Sequence, residues 1–197
     1  ARAFWSQPVG CSASTFVFQR RRTQFFESSE VRALRQKKRE AEWVKAKLAC
    51  RRNAETVRMA KERGVGIGAH PGYPDLMGFG RRRLDLSISE IENYMLYQMG
   101  ALYAFARAYG LPLQHVKAHG ALGNLAFVDL EVSKAIARAA LRFSRDTIFV
   151  ALTGTVMVQA AKEVGVRYVE EVYADRVYNP DGTLTQRTDA RGQQVQY

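Results

Sequence analysis

The sequence predicts an α/β protein built on a parallel β-sheet, and three observations carry that prediction. Short apolar runs alternate in strict order with helix-length segments between residues 53 and 173. Capping residues and glycines bracket those helical segments. The chain's three histidines, His70, His115 and His119, all fall at or just past the end of a predicted strand, where parallel α/β folds gather their functional groups.

Residues 1–26 contain no acidic residue and show no clear periodicity, a composition of the sort found in transit peptides. Residues 27–47 are charge-dense, with Val31, Leu34, Trp43 and Val44 as their few apolar anchors. We read 1–52 as a basic leader, disordered or partly helical, and 53–197 as the folded domain. In that domain Asn53 is expected to cap a helix over 54–63, with Val57 and Ala60 on one face and Gly64 as its stop. Val65–Ala69 is the first strand. Ser89 with Glu92 fits a capping box and opens a long helix that ends at Gly110. Leu113–Lys117 is the next strand. Asp129 caps a helix to about Phe143, Thr147–Leu152 is a strand, Gly154–Val164 is helical and Val166–Tyr173 is a further strand. An open doubly wound sheet and a β/α barrel satisfy this order equally well.

The 197 residues are enough for one domain with a sizeable core, and the composition, 47% hydrophobic and 25% charged, is that of a globular protein. No run approaches the roughly 18–20 apolar residues of a membrane helix. Cys11 and Cys50 lack metal-site spacing, which points to a reducing compartment and an expected cytoplasmic location. The net charge of +11 is unevenly spread: residues 1–63 carry +10 and the rest +1. A nucleic-acid-binding domain carries its charge as a patch on the folded body, so nucleic acid is not an expected partner.

Side-chain parity sharpens the histidine observation. If 115–119 runs extended, His115, Lys117 and His119 share one face, and Gly66, Gly68 and His70 share another. The glycines leave room for a ligand or for tight packing, and packing is the preferred reading. On a strand His115 and His119 are roughly 13 Å apart, too far to share a metal, so no metal site is expected. A buried ammonium is costly unless paired, so Lys117 calls for an anionic partner or ligand. Asp75 and Asp175 occupy similar positions after strands. There is no Walker-type loop, no G-x-G-x-x-G and no nucleophile elbow.

Five segments then stand in order: VGIGAHPGYPD (65–75), FGRR (79–82), YQMGAL (97–102), HVKAHGAL (115–122) and EEVYADRVYNPDGTL (170–184). In this order and spacing the chain resembles the LamB/YcsF family over roughly residues 48–189. The resemblance implies an irregular parallel β/α barrel of the glycoside hydrolase and sugar deacetylase kind. It also implies ATP-dependent cleavage of the 5-oxoproline lactam to glutamate, with two partner subunits, B and C of a 5-oxoprolinase. On that reading His70, Lys117, His119 and Asp175 are the catalytic candidates. His70 and His119 would position a water or polarise the lactam carbonyl, and Lys117 would meet a carboxylate or phosphate. Asp75, Arg81, His115 and Arg176 are the substrate-binding candidates. ATP is the implied cofactor, and no metal ligand is assigned.

The chain also departs from the family pattern. The acidic D-x-N-x-D-x-G-E strand and the G-F-H-A-G-D segment are missing, and the first aspartate of the chain is Asp75. Ala118 and Gly123 stand where the family has Pro and Tyr, and the last strands are not reached. The expectation is therefore an incomplete barrel joined to an unrelated leader. Its alternatives are a catalytically inactive fragment or a metal-dependent deacetylase-like hydrolase.

Overall fold

The structure is a computed structural model that describes residues 4–5, 16–18, 50–180 and 184–185. Of the expected leader, 1–52, only residues 4–5, 16–18 and 50–52 are among those described. Its two short strands, β1 (Phe4–Trp5) and β2 (Phe16–Phe18), pair antiparallel as a ladder of their own.

The domain sheet has four parallel strands: β3 (Ile67–Ala69), β4 (Leu113–Val116), β5 (Ile148–Leu152) and β6 (Tyr168–Glu171). Their order in space, β3-β4-β5-β6, is their order in sequence. A doubly wound sheet reverses its strand order at a switch point, and none occurs among the described residues. Each βα step instead adds its strand on the same side, which is barrel progression. Among the described residues the arc is open and the barrel is not closed.

A helix over residues 50–62 (α1) precedes β3. It begins before the expected cap: Arg51 and Arg52 are good helix formers and nothing breaks the chain at Asn53, which lies inside the helix. The long helix α2 (Ile88–Ala108) is also capped earlier than expected, by Ser87 with Glu90 in a reciprocal capping box. The S-x-x-E pattern occurs twice here in overlapping phase. The Ser89 reading fails because Glu92 turns away to Arg138 (3.2 Å) and Arg142 (2.5 Å) on another helix. Burial alone would raise the Glu92 carboxyl, but the hydrogen bonds from Arg142 and Arg138 prevail and hold it below its ordinary value.

Helix α2 buries Ile91, Met95 and Met99, spaced four apart on one face. Helix α3 (Gly120–Ala126) is short and was not expected from the sequence. Helix α4 (Leu130–Phe143) is capped by Asp129, as read from the sequence, and buries Ala135, Ile136, Ala139 and Ala140. The alanines among them let α4 lie against α2 and α5 (Val156–Val164). The helices meet the strands in sequence order, with α2 on β3 and β4, α4 on β5, and α5 on β5 and β6. Phe149, Val116 and Leu152 are fully buried from the sheet side. The result is a rigid floor whose carboxyl ends carry the loops described next.

Candidate functional site

The parallel ladder between β3 and β4 continues past the strand ends. The Lys117 N–H donates to the Ala69 carbonyl (3.0 Å) and the His119 N–H to the Pro71 carbonyl (2.8 Å). Residues 115–119 therefore run extended, as parity required, with His119 at φ −98°, ψ 144° as the N-cap of α3. Alternation on the β3 side is broken by a register shift between Ile67 and Gly68. A side chain at Gly66 would meet Gln114, while one at Gly68 would meet the His115 ring, 2.0 Å from Nε2. Gly68 is thus a packing glycine that lets His115 lie flat against the neighbouring strand.

His70, Lys117 and His119 come together above the ends of β3 and β4. The His70 and His119 rings meet edge to face with centroids 4.8 Å apart. His70 Nδ1 lies 2.8 Å from the Lys117 carbonyl, and His119 Nε2 lies 2.7 Å from the Phe79 carbonyl. A carbonyl only accepts, so each of these nitrogens carries the proton. In the neutral rings this leaves His70 Nε2 and His119 Nδ1 as acceptors. Desolvation is the largest influence on His70 and lowers its pKa from 6.5, with nearby His119 and Lys117 acting the same way. The neutral ring, with its lone pair on Nε2, is the favoured form.

Lys117 finds its anionic partner in Glu171 at the end of β6. Nζ lies 2.7 Å from Oε1 and 2.8 Å from Oε2, and 4.6 Å from the centroid of the Tyr173 ring. Burial alone would lower the lysine, but the bonds to Glu171 and Tyr173 outweigh it and the pKa is raised, keeping the ammonium. The sequence required an anion near Lys117 without naming it. Glu170 and Glu171 stand side by side, and composition cannot tell which faces inward.

The other candidates are placed differently. Asp75 is buried in the loop after β3. Its carboxylate accepts from the Gly78 N–H (2.9 Å) and is clamped by the Arg82 guanidinium, with Nε 3.0 Å from Oδ2. The hydrogen bond from Arg82 is the main cause that holds this carboxyl down at about 2. Arg81 lies over the Phe79 ring, 5.8 Å from its centroid. His115 sits one step below the cluster, with Nδ1 3.4 Å from Gln114 Oε1. Asp175 is exposed in the turn after β6, and Arg176 directs its guanidinium to the Thr185 carbonyl (2.5 Å). Sequence reasoning missed Glu171, Tyr173, Arg82 and Gln98. The last holds Gly72 from both sides, with Oε1 3.2 Å from its N–H and Nε2 2.8 Å from its carbonyl. Its signal was its place inside the YQMGAL segment.

Among the described residues no three His, Cys, Asp or Glu side chains group to hold a metal. Nor is any described helix long and apolar enough to cross a membrane.

An α/β sheet with barrel progression and a histidine, lysine and carboxylate cluster at its carboxyl end defines a class of loop-built sites. A sequence model of the LamB/YcsF family matches residues 51–195. A relative from Campylobacter jejuni, named as the A subunit of 5-oxoprolinase, is 53% identical over 133 residues, 68% of this chain and 52% of that protein. A relative of the same name from Thermococcus onnurineus is 54% identical over 133 residues, with the same coverage. The crystal structure of a lactam utilization protein from Thermus thermophilus superposes with a TM-score of 0.68 at 46% identity, covering 75% of this chain and 60% of that one. The chain belongs to the LamB/YcsF family. It spans about half the length of the curated relatives it matches.

Proposed function

We propose that this chain acts as the A component of an ATP-dependent 5-oxoprolinase, opening the 5-oxoproline lactam to glutamate together with B and C subunits in the cytoplasm. The observation that carries the reading is the pair of histidines from adjacent strands. Each has one nitrogen tied to a backbone carbonyl and the other left as an acceptor, and His70 stands within the field of the Lys117–Glu171 pair. The identity to proteins named as the A component of 5-oxoprolinase supports it.

ATP supplies the free energy for opening a resonance-stabilised amide. The chain's own residues act on the lactam and the attacking water. His70 Nε2 accepts the water's proton, and the lowered pKa keeps it a base near neutrality. His119 Nδ1 is the second acceptor, positioned to orient that water or the lactam N–H. An ammonium has three donors, so Lys117 can hold Glu171 and still receive the substrate carboxylate. We assign no phosphate contact to the described residues, because Lys117 is given to Glu171 and the substrate carboxylate, and Gly80 and Gly120 are packed against His119 and each other.

The test is 5-oxoproline-dependent ADP release by the chain mixed with B and C subunits from a related bacterium, with a full-length relative alongside. Release that falls at least about 100-fold in His70→Ala and His119→Ala is expected. The acid limb of the rate should lie below pH 6.5, because the His70 pKa is lowered from that value. No release from this chain while the full-length relative is active would defeat the proposal.

A further inference from the structure

The loop after β3 carries a contradiction that its packing alone does not require. Phe79 holds a positive φ of 54°, a left-handed conformation that is a genuine outlier for a bulky side chain. Its ring is largely exposed, so no burial of the phenyl group accounts for the conformation. What the conformation delivers is the Phe79 carbonyl, 2.7 Å from His119 Nε2. The ring stands edge to face on the same imidazole, with centroids 4.9 Å apart.

A clamp centred on the buried Asp75 carboxylate holds this arrangement. The Asp75 carboxylate accepts from the Gly78 N–H and from Arg82, while the Asp75 carbonyl accepts from the Gly80 N–H (2.8 Å). These bonds close the turn on both sides of Phe79. The Gly80 carbonyl in turn accepts from the Ala121 N–H (3.0 Å), tying the turn to the helix that His119 caps. A Cβ at Gly78 would lie 2.1 Å from Asp75 Oδ2 and 2.4 Å from Arg82 Nε, so the clamp admits only glycine there. Neither Asp75 nor Arg82 is among the contacts of His70 or Lys117 described above. Their bonds run to the turn.

We infer that Asp75 and Arg82 are positioning residues for His119: they lock Phe79 in its left-handed conformation, and its carbonyl fixes His119 as the Nε2–H tautomer. Backbone strain of this kind persists only where surrounding structure over-determines it, and functional sites are where it gathers. The turn therefore determines which His119 nitrogen faces a ligand as an acceptor, Nδ1. Asp75, one of the substrate-binding candidates by position, works at one remove from the substrate. Only the activity arm of the test below rests on the proposed lactam-opening reaction.

The decisive measurement is the tautomer of His119 in the whole chain, read from two-bond proton–nitrogen correlations of the imidazole ring. The unmodified chain should show the Nε2–H form. In Arg82→Lys, and in Asp75→Asn, which keeps an acceptor for the Gly78 N–H, the ring should become a tautomer mixture while the core methyl spectrum is unchanged. ADP release in the reconstituted mixture should then drop by about 10- to 100-fold. An Nδ1–H ring in the unmodified chain would overturn the assignment, as would an unchanged tautomer in folded variants. A rate that falls with the tautomer intact would reduce the clamp to scaffolding and overturn it too. Absence of ADP release from the unmodified chain would count against the lactam reaction alone, and the ring nitrogens would still decide this assignment.

Discussion

The loop after β3 and the loop after β6 stand over the same end of the sheet and are held in opposite ways. The first is closed by the ion pair of buried Asp75 with Arg82, by Gln98 gripping both polar groups of Gly72, and by His119 bonded to Phe79. The second is closed mainly by bonds to backbone: the Tyr178 hydroxyl accepts from the Tyr173 N–H (2.6 Å), and Thr185 donates from N and Oγ1 to the Val177 carbonyl (both 3.0 Å). Both loops expose apolar side chains, Met77 and Phe79 in the first and Val172 and Val177 in the second, but the first also buries Pro71, Gly72, Tyr73 and Asp75. Loops with few buried contacts open at low cost. The histidine side of the site is thus set in advance, and adjustment belongs to the side that carries Glu171 and Tyr173.

The largest test of that contrast is at Gly120, where the first loop abuts α3. Gly120 has φ +60°, and a Cβ there would lie 2.5 Å from the Gly80 carbonyl oxygen. Gly120→Ala should cost about 1–3 kcal/mol in urea unfolding. By displacing His119 it should also cut ADP release about 100-fold. Wild-type stability would mean that the loop yields freely and is not preset. Next in size is an acid response confined to the first loop. The Asp75 carboxyl is at about 2 in the fold against 3.8 as its ordinary value. A depressed carboxylate stabilises the fold above 3.8, and that contribution is lost as pH falls from 3.8 through about 2. The Gly78 amide resonance should titrate with a midpoint near 2. The Thr185 amide, which bonds a backbone carbonyl, should not follow it, and a Gly78 midpoint near 3.8 would show an unclamped loop.

The same contrast governs what could be read from sequence. Strand and helix order, the Asp129 cap and the convergence of His70, Lys117 and His119 were legible, because periodicity and strand-end placement encode them locally. The choice of barrel over doubly wound sheet was not legible in the element order, because it depends on strand order in space, and it came instead from the family resemblance of the five segments. Ser89 was mistaken for the cap because two overlapping S-x-x-E patterns are locally equivalent, and only the distant Arg138 and Arg142 separate them. Glu171 and Arg82 escaped for a related reason. Each sits beside a residue of the same type, Glu170 or Arg81 and Arg83, and the strand's phase or the loop's conformation decides which one makes the contact. The helix α3 fell within a glycine-containing stretch that propensity alone reads as loop.

The smaller effects lie on the second loop. Glu171→Gln leaves the half-buried Lys117 with desolvation and no counter-charge, so its raised pKa should fall. Unfolding should then come about 1–2 kcal/mol easier, and, if the lysine receives the substrate carboxylate as proposed, the KM for 5-oxoproline should rise more than kcat falls. The smallest effect is expected for Tyr178→Phe. It removes only the acceptor of the Tyr173 N–H and keeps the ring in place. The half-buried amide can turn to water, so the loss should be about 1 kcal/mol or less. Its use lies in the comparison. If the second loop is the adjustable side, this variant should speed amide exchange at Tyr173 while leaving Gly78 and His119 unchanged. Faster exchange in both loops would mean that they move as one unit, joined through the Lys117–Glu171 pair, and the division between a preset and an adjustable side would fail.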